Sequence, residues 1–316
     1  MKKARWIFVA VLTITLFAGL FYRYSIKNKG YERTEFLFDT QCTITAYGKD
    51  AKAAVDAAFE RLEQIHGFTN FYSENSQIAD INNQAAETKI FIDKELSEIL
   101  TAALDVGSSS QGAFDITVAS VTGLWEFSGS GRVPSEDEIQ RNLEFVGTDK
   151  LRFDGKSTLI KTSDNVKIDL GGAAKGYAGD VAIDILKEYN VTGAIADLGG
   201  NITCFGKNPN SSDGKWRIGL QKPFAPVGEY EDVIEIEEGA VVTSGIYQRC
   251  FEKDGKRYHH IIDPKTGYPA EAEYSSATIV SDSSLYADCL ATACYILGED
   301  KGKALADKYS AEIYFR

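Results

Sequence analysis

Hydrophobic residues recur every three to four positions in two early segments, residues 50–66 and 94–104. This spacing predicts two helices, each with one apolar face turned toward a core. The residues that carry the pattern are Val55, Phe59, Leu62 and Ile65 in the first segment and Leu96, Ile99, Leu100 and Leu104 in the second.

Runs of β-branched and alternating apolar residues, bounded by Gly, Pro, Asn and Asp, predict strands elsewhere in the chain. These runs are residues 35–47, 215–221, 232–237, 240–243 and 275–280. The polar stretches 128–138 and 207–215 are predicted to be loops. Together the helices and strands predict an α+β domain without internal repeats.

The start of the chain has a different pattern, an uncharged apolar run over residues 6–22 that follows three basic residues. A run of this length lies at the short end for a membrane span, and the basic leader places the N-terminus inside the cell. The run therefore predicts an uncleaved signal anchor. Leu20 stands where a lipoprotein would need its modified Cys.

A cleaved signal peptide is the alternative interpretation of the same run, because Ala18 and Gly19 are small. With an anchor, the chain divides into a cytoplasmic tip at 1–5, the transmembrane helix at 6–22, a juxtamembrane linker at 23–33 and one extracytoplasmic domain at 34–316.

Composition limits the class of protein further. With 316 residues and 44% hydrophobic content, the chain can bury a core for one large domain or two intimate lobes. Its net charge of −12 argues against nucleic acid as a partner. The five cysteines form no CxxC pair and no zinc spacing, so buried free thiols are expected and no disulfide is predicted.

Asp288 and Thr292 are the first candidates for chemistry. They lie four residues apart in the apolar segment YADCLATACYIL, residues 286–297. That spacing puts a carboxylate and a hydroxyl on one face of a helix. A buried carboxylate needs a compensating partner, and hard oxygen ligands suit Mg²⁺. The alternative is that both are ordinary polar helix residues without a role in chemistry.

A second candidate is VKIDLGGAAKGYAGD, residues 166–180, which predicts a short strand, a Gly-rich turn and a helix. Asp169 would end the strand, and Lys175 would lie in the first helical turn. Such a turn exposes backbone N–H groups that bind phosphate readily. It lacks the P-loop ending and the complete GxGxxG spacing, so a plain strand-to-helix connection is the alternative.

Three further segments contain strand ends or turns rich in small or polar residues. HHIIDPKTGYP, residues 259–269, leads from a strand into a turn. Adjacent residues of a strand point to opposite faces, so one histidine at most addresses a given site. His260 is the better candidate, and His259 is interpreted as surface-exposed or satisfied. VVTSGIYQR at 241–249 and ADLGGNITCFG at 196–206 supply two more such corners.

In this order and approximate spacing, the motifs DLGGAAKGYAGD, DLGGNI, TSGIY, HHIIDPKTG and ADCLATA resemble those of the FAD:protein FMN transferases, the ApbE-like family. GAFDITV at 112–118 matches a further family motif, and the resemblance covers roughly residues 34–316. It implies antiparallel sheets packed against helices, similar to the T-fold. One departure is Phe38-Asp39-Thr40, where the family often has Met-Gly-Thr.

The resemblance also implies a reaction and its residues. FAD is bound with Mg²⁺ against its pyrophosphate, and FMN is transferred to a Thr or Ser hydroxyl of an extracytoplasmic target protein, with release of AMP. Catalytic roles fall to Asp288 and to His260, which would lie near the phosphates and assist proton transfer. The implied metal ligands are the side chains of Asp288 and Thr292 and backbone oxygens of Gly172 and Ala291. The implied FAD contacts are Phe38, Tyr72, Ala113, Phe114, Asp115, Asp169, Lys175 and Ile262.

Two other functions fit the same motifs. One is a Mg²⁺-dependent FAD pyrophosphatase, in which water replaces the acceptor hydroxyl. The other is a non-catalytic protein that binds or scavenges flavin. The whole constellation of Asp288, Thr292, Lys175 and His260 argues against pure binding, which would not need it.

Overall fold

The computed structural model describes residues 30–127, 129–226, 228–247 and 249–316. Across these ranges, no helix is both long enough and apolar enough to cross a membrane. The anchor predicted at 6–22 lies outside the described residues.

The strands are β1 (Tyr31–Leu37), β2 (Thr40–Gly48), β3 (Ile90–Phe91), β4 (Leu151–Phe153), β5 (Thr158–Lys161), β6 (Val191–Leu198), β7 (Asn201–Gly206), β8 (Trp216–Gln221), β9 (Tyr230–Ile236), β10 (Gly239–Gly245), β11 (Cys250–Lys253), β12 (Lys256–His259), β13 (Ser276–Ser281) and β14 (Glu312–Phe315). The α-helices are α1 (Ala51–Thr69), α2 (Gln77–Asn83), α3 (Lys94–Ser109), α4 (Ala119–Thr122), α5 (Glu136–Leu143), α6 (Ala174–Glu188), α7 (Ser284–Leu297) and α8 (Glu299–Lys308).

A seven-stranded sheet organises the fold, in the order β1-β2-β6-β7-β10-β13-β14. Every neighbouring pair in it is antiparallel. Smaller sheets are formed by β3-β5-β4, by β8-β9 and by β11-β12. The predicted α+β class with antiparallel sheets and helices is confirmed.

Helices and a hairpin cover opposite faces of the large sheet. Helices α1, α6 and α7 pack on one face and enclose the main core. The β8–β9 hairpin covers the other face, where Trp216, Ile218 and Leu220 pack against Tyr47 and Val241. Because both faces are covered, β7 and β10 are buried over most of their length.

The two predicted helices are confirmed as α1 and α3, and most predicted strands match β8, β9, β10 and β13. The single strand predicted at 35–47 is instead the hairpin of β1 and β2, which turns at Phe38 and Asp39. β1 begins at Tyr31, within the stretch 23–33 that was predicted as a juxtamembrane linker.

The strand predicted at the start of 166–180 is wrong. Among the described residues, 166–170 belong to no strand, and the backbone of Ile168 pairs with the side chain of Asn82 instead. The amide nitrogen of Asn82 donates to the Ile168 carbonyl at 2.9 Å, and the Ile168 N–H donates to the amide oxygen at 2.8 Å. The Asp169 N–H then donates to the carbonyl of Ile116 at 2.9 Å. Asp169 is thus fixed by long-range bonds.

All five cysteines are free thiols. Cys42, Cys204, Cys289 and Cys294 are buried, and Cys250 is exposed.

Candidate functional site

Helices α6 and α7 approach each other closely enough to exclude a side chain at their contact. A Cβ at Gly176 would lie 2.4 Å from the carbonyl oxygen of Ser284 and 2.8 Å from the Cβ of Asp288. Gly179 likewise faces Thr203 and Ser284. The glycines of the KGYAGD motif are therefore required by helix packing.

Asp180 fixes the beginning of α7. Its carboxylate accepts hydrogen bonds from the hydroxyl of Ser283 at 3.0 Å, the N–H of Ser284 at 2.8 Å and the N–H of Leu285 at 3.0 Å. Ser283 also caps the helix through its own side chain. The free N–H groups at a helix start and the positive end of the helix dipole both favour a carboxylate here.

Asp288 lies one to two turns further along α7 and is only 2% exposed. One carboxylate oxygen accepts the N–H of Gly176 at 3.0 Å, and the other lies 3.6 Å from Nζ of Lys175. Nζ of Lys175 also donates to the carbonyl of Gly171 at 3.2 Å. The predicted helix and the position of Lys175 in the first turn of α6 are confirmed. Lys175 compensates the buried charge.

Thr292 follows Asp288 by one turn, and its hydroxyl is 3.0 Å from the hydroxyl of Ser244 at the end of β10. Gly172 is adjacent, since a Cβ there would lie 3.6 Å from Oγ1 of Thr292. Ala291 is fully buried on α7. Three of the implied metal ligands, Asp288, Thr292 and Gly172, are thus brought together.

The donors at this point are oxygens: one carboxylate and two hydroxyls, with the main chain of the 171–173 turn alongside. Oxygen donors with a single carboxylate fit Mg²⁺ better than they fit zinc or copper. Within the described residues, no three His, Cys, Asp or Glu side chains are grouped as a metal cluster.

Asp169 begins the Gly-rich turn and accepts the N–H of Gly171 at 2.9 Å. Burial raises the pKa of this carboxyl, and the positive charges of Arg249 and Lys175 act in the opposite direction. Asp169 therefore lies within the electrostatic range of both cations.

The β1–β2 turn brings Phe38 to the same region. The Phe38 N–H donates to Nδ1 of His66 at 3.2 Å, and the two rings meet edge to face with centroids 5.2 Å apart. His66 belongs to the last turn of helix α1. In the structure it holds the turn that carries Phe38.

A cleft of about 360 Å³ lies beside this turn and is lined by Asp39, Tyr72, Phe127 and Arg249. A second depression of about 480 Å³ shares Tyr72 with it and is lined also by Phe71, Ser73, Glu74, Ala79, Asn82, Asn83 and Lys167. Tyr72 is 60% exposed at this junction. Exposed rings beside a polar cleft can stack on the face of a planar ligand.

The residues of the GAFD segment make different contacts. Phe114 is buried, and its ring would lie 2.9 Å from a Cβ at Gly172, so it packs against the Gly-rich turn. The Asp115 carboxylate instead caps a 3₁₀ turn, where it accepts the N–H of Thr117 at 2.8 Å and its hydroxyl at 2.5 Å. Burial raises the pKa of Asp115. Ala113 is buried.

Ile262 belongs to an apolar cluster separate from the main core. It is buried in an apolar cluster with Val121, Trp125 and Ile139 and forms an isolated bridge with Pro269. Phe127, which lines the cleft with Tyr72, packs against the same cluster.

Of the two interpretations of His259, surface-exposed or satisfied, the structure excludes the first, because the side chain is buried. Nε2 of His259 donates to the carbonyl of Ala270 at 3.0 Å, while Nδ1 has no partner among the described residues. Burial lowers the pKa of His259 to about 4.

His260 lies just beyond β12 and is half-buried. Its N–H and its Nδ1 both contact the carbonyl of Arg249, at 3.1 and 3.3 Å. Because a carbonyl can only accept, Nδ1 carries the proton and Nε2 is left as a base. Burial, followed by the charge of Arg249, lowers the pKa of His260 to about 3, so the ring is neutral at pH 7.

Sequence reasoning missed Ser244, Asp180, His66 and Arg249. Ser244 and Arg249 belong to VVTSGIYQR, and Asp180 ends the Gly-rich motif, so the quoted motifs contained these three without assigning them a role. His66 had no local signal.

The chain is similar to known proteins over most of its length. The sequence model of the ApbE family matches residues 38–315. The FAD:protein FMN transferase of Treponema pallidum is 31% identical over 296 residues, which cover 88% of this chain and 82% of that protein. The enzyme of the same name from Haemophilus influenzae is 33% identical over 282 residues, covering 86% and 80%.

Solved structures agree. The ApbE protein of Thermotoga maritima superposes with a TM-score of 0.80 and 32% identity, over 91% of this chain and 94% of that one. The flavinyl transferase ApbE of Pseudomonas stutzeri gives 0.79 and 30%, over 91% and 90%. The family resemblance drawn from the motifs is confirmed. This chain belongs to the ApbE family.

Proposed function

We propose that this chain transfers FMN from FAD to a Thr or Ser hydroxyl of an extracytoplasmic protein in a Mg²⁺-dependent reaction that releases AMP. The enzyme class is that of its curated relatives, which are named FAD:protein FMN transferase, and the assignment made from the motifs agrees with them. The observation that carries the finer proposal is the buried Asp288 carboxylate, which lies with Lys175 beside two hydroxyls and the Gly-rich turn.

Asp288, Thr292 and the turn at Gly172 would hold the metal. Mg²⁺ bound there would neutralise charge on the pyrophosphate. Lys175 lies in the first turn of α6, and its ammonium would attract the phosphates of FAD. Its contact with Asp288 at 3.6 Å leaves the amine directed toward the turn.

His260 would act as the base. Its neutral ring, with the proton fixed on Nδ1, can accept the proton of the acceptor hydroxyl at Nε2. The hydroxyl oxygen then bonds to the phosphorus of the FMN half, and the bond from that phosphorus to the bridging oxygen breaks. AMP leaves with that oxygen and the electron pair, so the atoms and charges balance.

The site would face the outside of the cell, anchored by residues 6–22, because a basic leader precedes that apolar run. The net charge of −12 repels free FAD at long range, so the local cations must supply the attraction.

The experiment incubates the full chain in detergent with FAD and Mg²⁺, with and without a Thr-bearing acceptor peptide. We expect covalent flavin on the peptide together with AMP. Asp288→Ala should abolish both products, because it removes the carboxylate ligand, whereas Thr292→Ala should weaken them less. Asp282→Ala, an exposed carboxylate just before α7, is the matched control.

The alternatives give different outcomes. AMP without flavin on the peptide would indicate the FAD pyrophosphatase instead. Bound FAD with neither product would indicate a non-catalytic flavin-binding protein. Unchanged Mg²⁺-dependent turnover in Asp288→Ala would refute the assigned metal site.

A further inference from the structure

The turn between β1 and β2 has an unusual backbone. Phe38 and Asp39 have φ values of 53° and 58°, in the left-handed region that glycine occupies most readily. Two successive non-glycine residues in this conformation cost free energy, so the surrounding contacts must hold the turn in place. The Phe38 ring is held by its contact with His66, whereas Asp39 has a different partner.

Asp39 forms an ion pair across the cleft. Its carboxylate lies 3.4 Å from the Arg249 guanidinium, and both side chains line the same cleft with Tyr72 and Phe127. The two side chains are 52% and 40% exposed. An exposed pair of this kind is weak and screened by salt, so an anionic ligand can replace the carboxylate at little cost.

Arg249 also acts on the candidate catalytic residues. Its carbonyl accepts both hydrogen bonds of His260. After burial, its charge helps to lower the pKa of His260, and it opposes the effect of burial on the pKa of Asp169. Lys175 influences the same two groups. Arg249 and Lys175 are therefore two cations that converge on one region from different elements.

We propose that Arg249 is a further FAD-binding residue that contacts the pyrophosphate, and that Asp39 holds it in the free enzyme and competes with FAD for it. A planar guanidinium can bind two phosphate oxygens at once, which an ammonium cannot do in the same way. This inference rests on the proposed function, because it assumes that the cleft receives FAD.

Equilibrium binding of FAD to the full chain tests the inference. Binding is measured by the quenching of flavin fluorescence. Arg249→Ala should raise the Kd for FAD by about tenfold or more, the scale of one lost charge-assisted hydrogen-bonding group. Arg249→Lys should recover part of the loss. Arg257→Ala is the matched control, because Arg257 is also 40% exposed on the adjacent hairpin but pairs with Glu252.

A second variant, Asp39→Asn, tests whether Asp39 competes with FAD for Arg249. Asp39→Asn keeps the shape and tolerates the left-handed backbone, but it loses the charge that holds Arg249. FAD should then bind about two- to fivefold more tightly, the scale of a weak exposed ion pair. In the background of Arg249→Ala, the same change should have a smaller effect, since its partner is absent.

Riboflavin has no phosphate, so its binding distinguishes contacts to the flavin ring from contacts to the pyrophosphate. Arg249→Ala should leave riboflavin binding unchanged. Equal losses for FAD and riboflavin, or an unchanged Kd for FAD in Arg249→Ala and Arg249→Gln, would overturn the inference. Weaker FAD binding in Asp39→Asn would overturn the competition. If the unsubstituted chain does not bind FAD, it is the proposed function that fails.

Discussion

Individual residues in this site are defined by partners far away in the sequence. The Thr292 hydroxyl meets Ser244, and Phe38 is held by His66. The local Asp288–Thr292 pair could be recognised from the sequence because a helix places residues four apart on one face. Ser244, His66 and Arg249 could not be assigned, since only the folded sheet brings them to their partners.

His260 and Lys175 should differ in the kinetic parameter they control. His260→Ala removes the base, so the transfer rate should fall by about 10²-fold or more while FAD still binds. Lys175→Ala should mainly raise the FAD concentration required. Single-turnover rates and equilibrium titration of FAD measure the two effects separately. If His260→Ala loses affinity as severely as rate, the residue serves binding and its catalytic role must be dropped.

His259 should make the fold sensitive to acid. Its pKa is about 4 in the folded protein but about 6.5 in an unfolded chain, so between these values the unfolded state takes up a proton that the folded state refuses. The contribution of His259 is therefore complete above about pH 6.5 and declines as the pH falls, by about 2 kcal/mol at pH 5. Urea unfolding at pH 7 and pH 5 measures this loss.

His259→Gln is the comparison for that measurement, because it keeps a donor for Ala270 but cannot titrate. We expect a smaller loss of stability between pH 7 and pH 5 in the variant. Equal losses in both proteins would assign the acid sensitivity to other groups.

At the scale of elements, the α6–α7 pair is the frame of the site. The sequence predicted one of these helices after a Gly-rich turn and the other from an apolar segment with Asp288 and Thr292 on one face, but it could not show that the glycines of KGYAGD allow the two axes to approach. It also predicted one strand at 35–47, because Phe38, which occupies the left-handed region at this turn, is not a residue that usually marks a turn. The segment around Ile168 has the pattern of a strand, but its backbone pairs with the side chain of Asn82. No local sequence pattern reveals that partner.

Asp180 should control the position of α7. Asp180→Ala leaves the N–H groups of Ser284 and Leu285 without their acceptor, so we expect a loss of about 2–4 kcal/mol in unfolding free energy. The Mg²⁺ concentration needed for half-maximal activity should rise as well, because Asp288 lies on the displaced helix. Chemical denaturation and a Mg²⁺ titration measure the two effects.

Asp184→Ala, one turn further along α6 and exposed, is the matched control and should stay within about 0.5 kcal/mol of the unsubstituted protein. A stable Asp180→Ala protein with an unchanged Mg²⁺ requirement would show that the contact does not position the site.

For the whole molecule, the family match spans the described domain, whereas attachment to a membrane is a prediction from residues 6–22. The full chain should fractionate with membranes, because Leu20 cannot carry a lipid and the apolar run must provide the attachment. A chain that begins at residue 30 should be soluble and active, since β1 begins at Tyr31. N-terminal sequencing and fractionation provide the test, and a mature protein free in the medium would indicate a cleaved signal.

The free thiols have a consequence for chemical labelling. Burial raises the pKa of Cys42 to about 11 and that of Cys204 and Cys294 to about 12, so these sulfurs stay protonated and unreactive toward oxidants and maleimides. Cys289 is equally enclosed. Cys250 is exposed and directly follows Arg249. A fluorophore can therefore be attached selectively to Cys250 of the natural sequence, where it would report the arrival of ligand at the rim of the cleft.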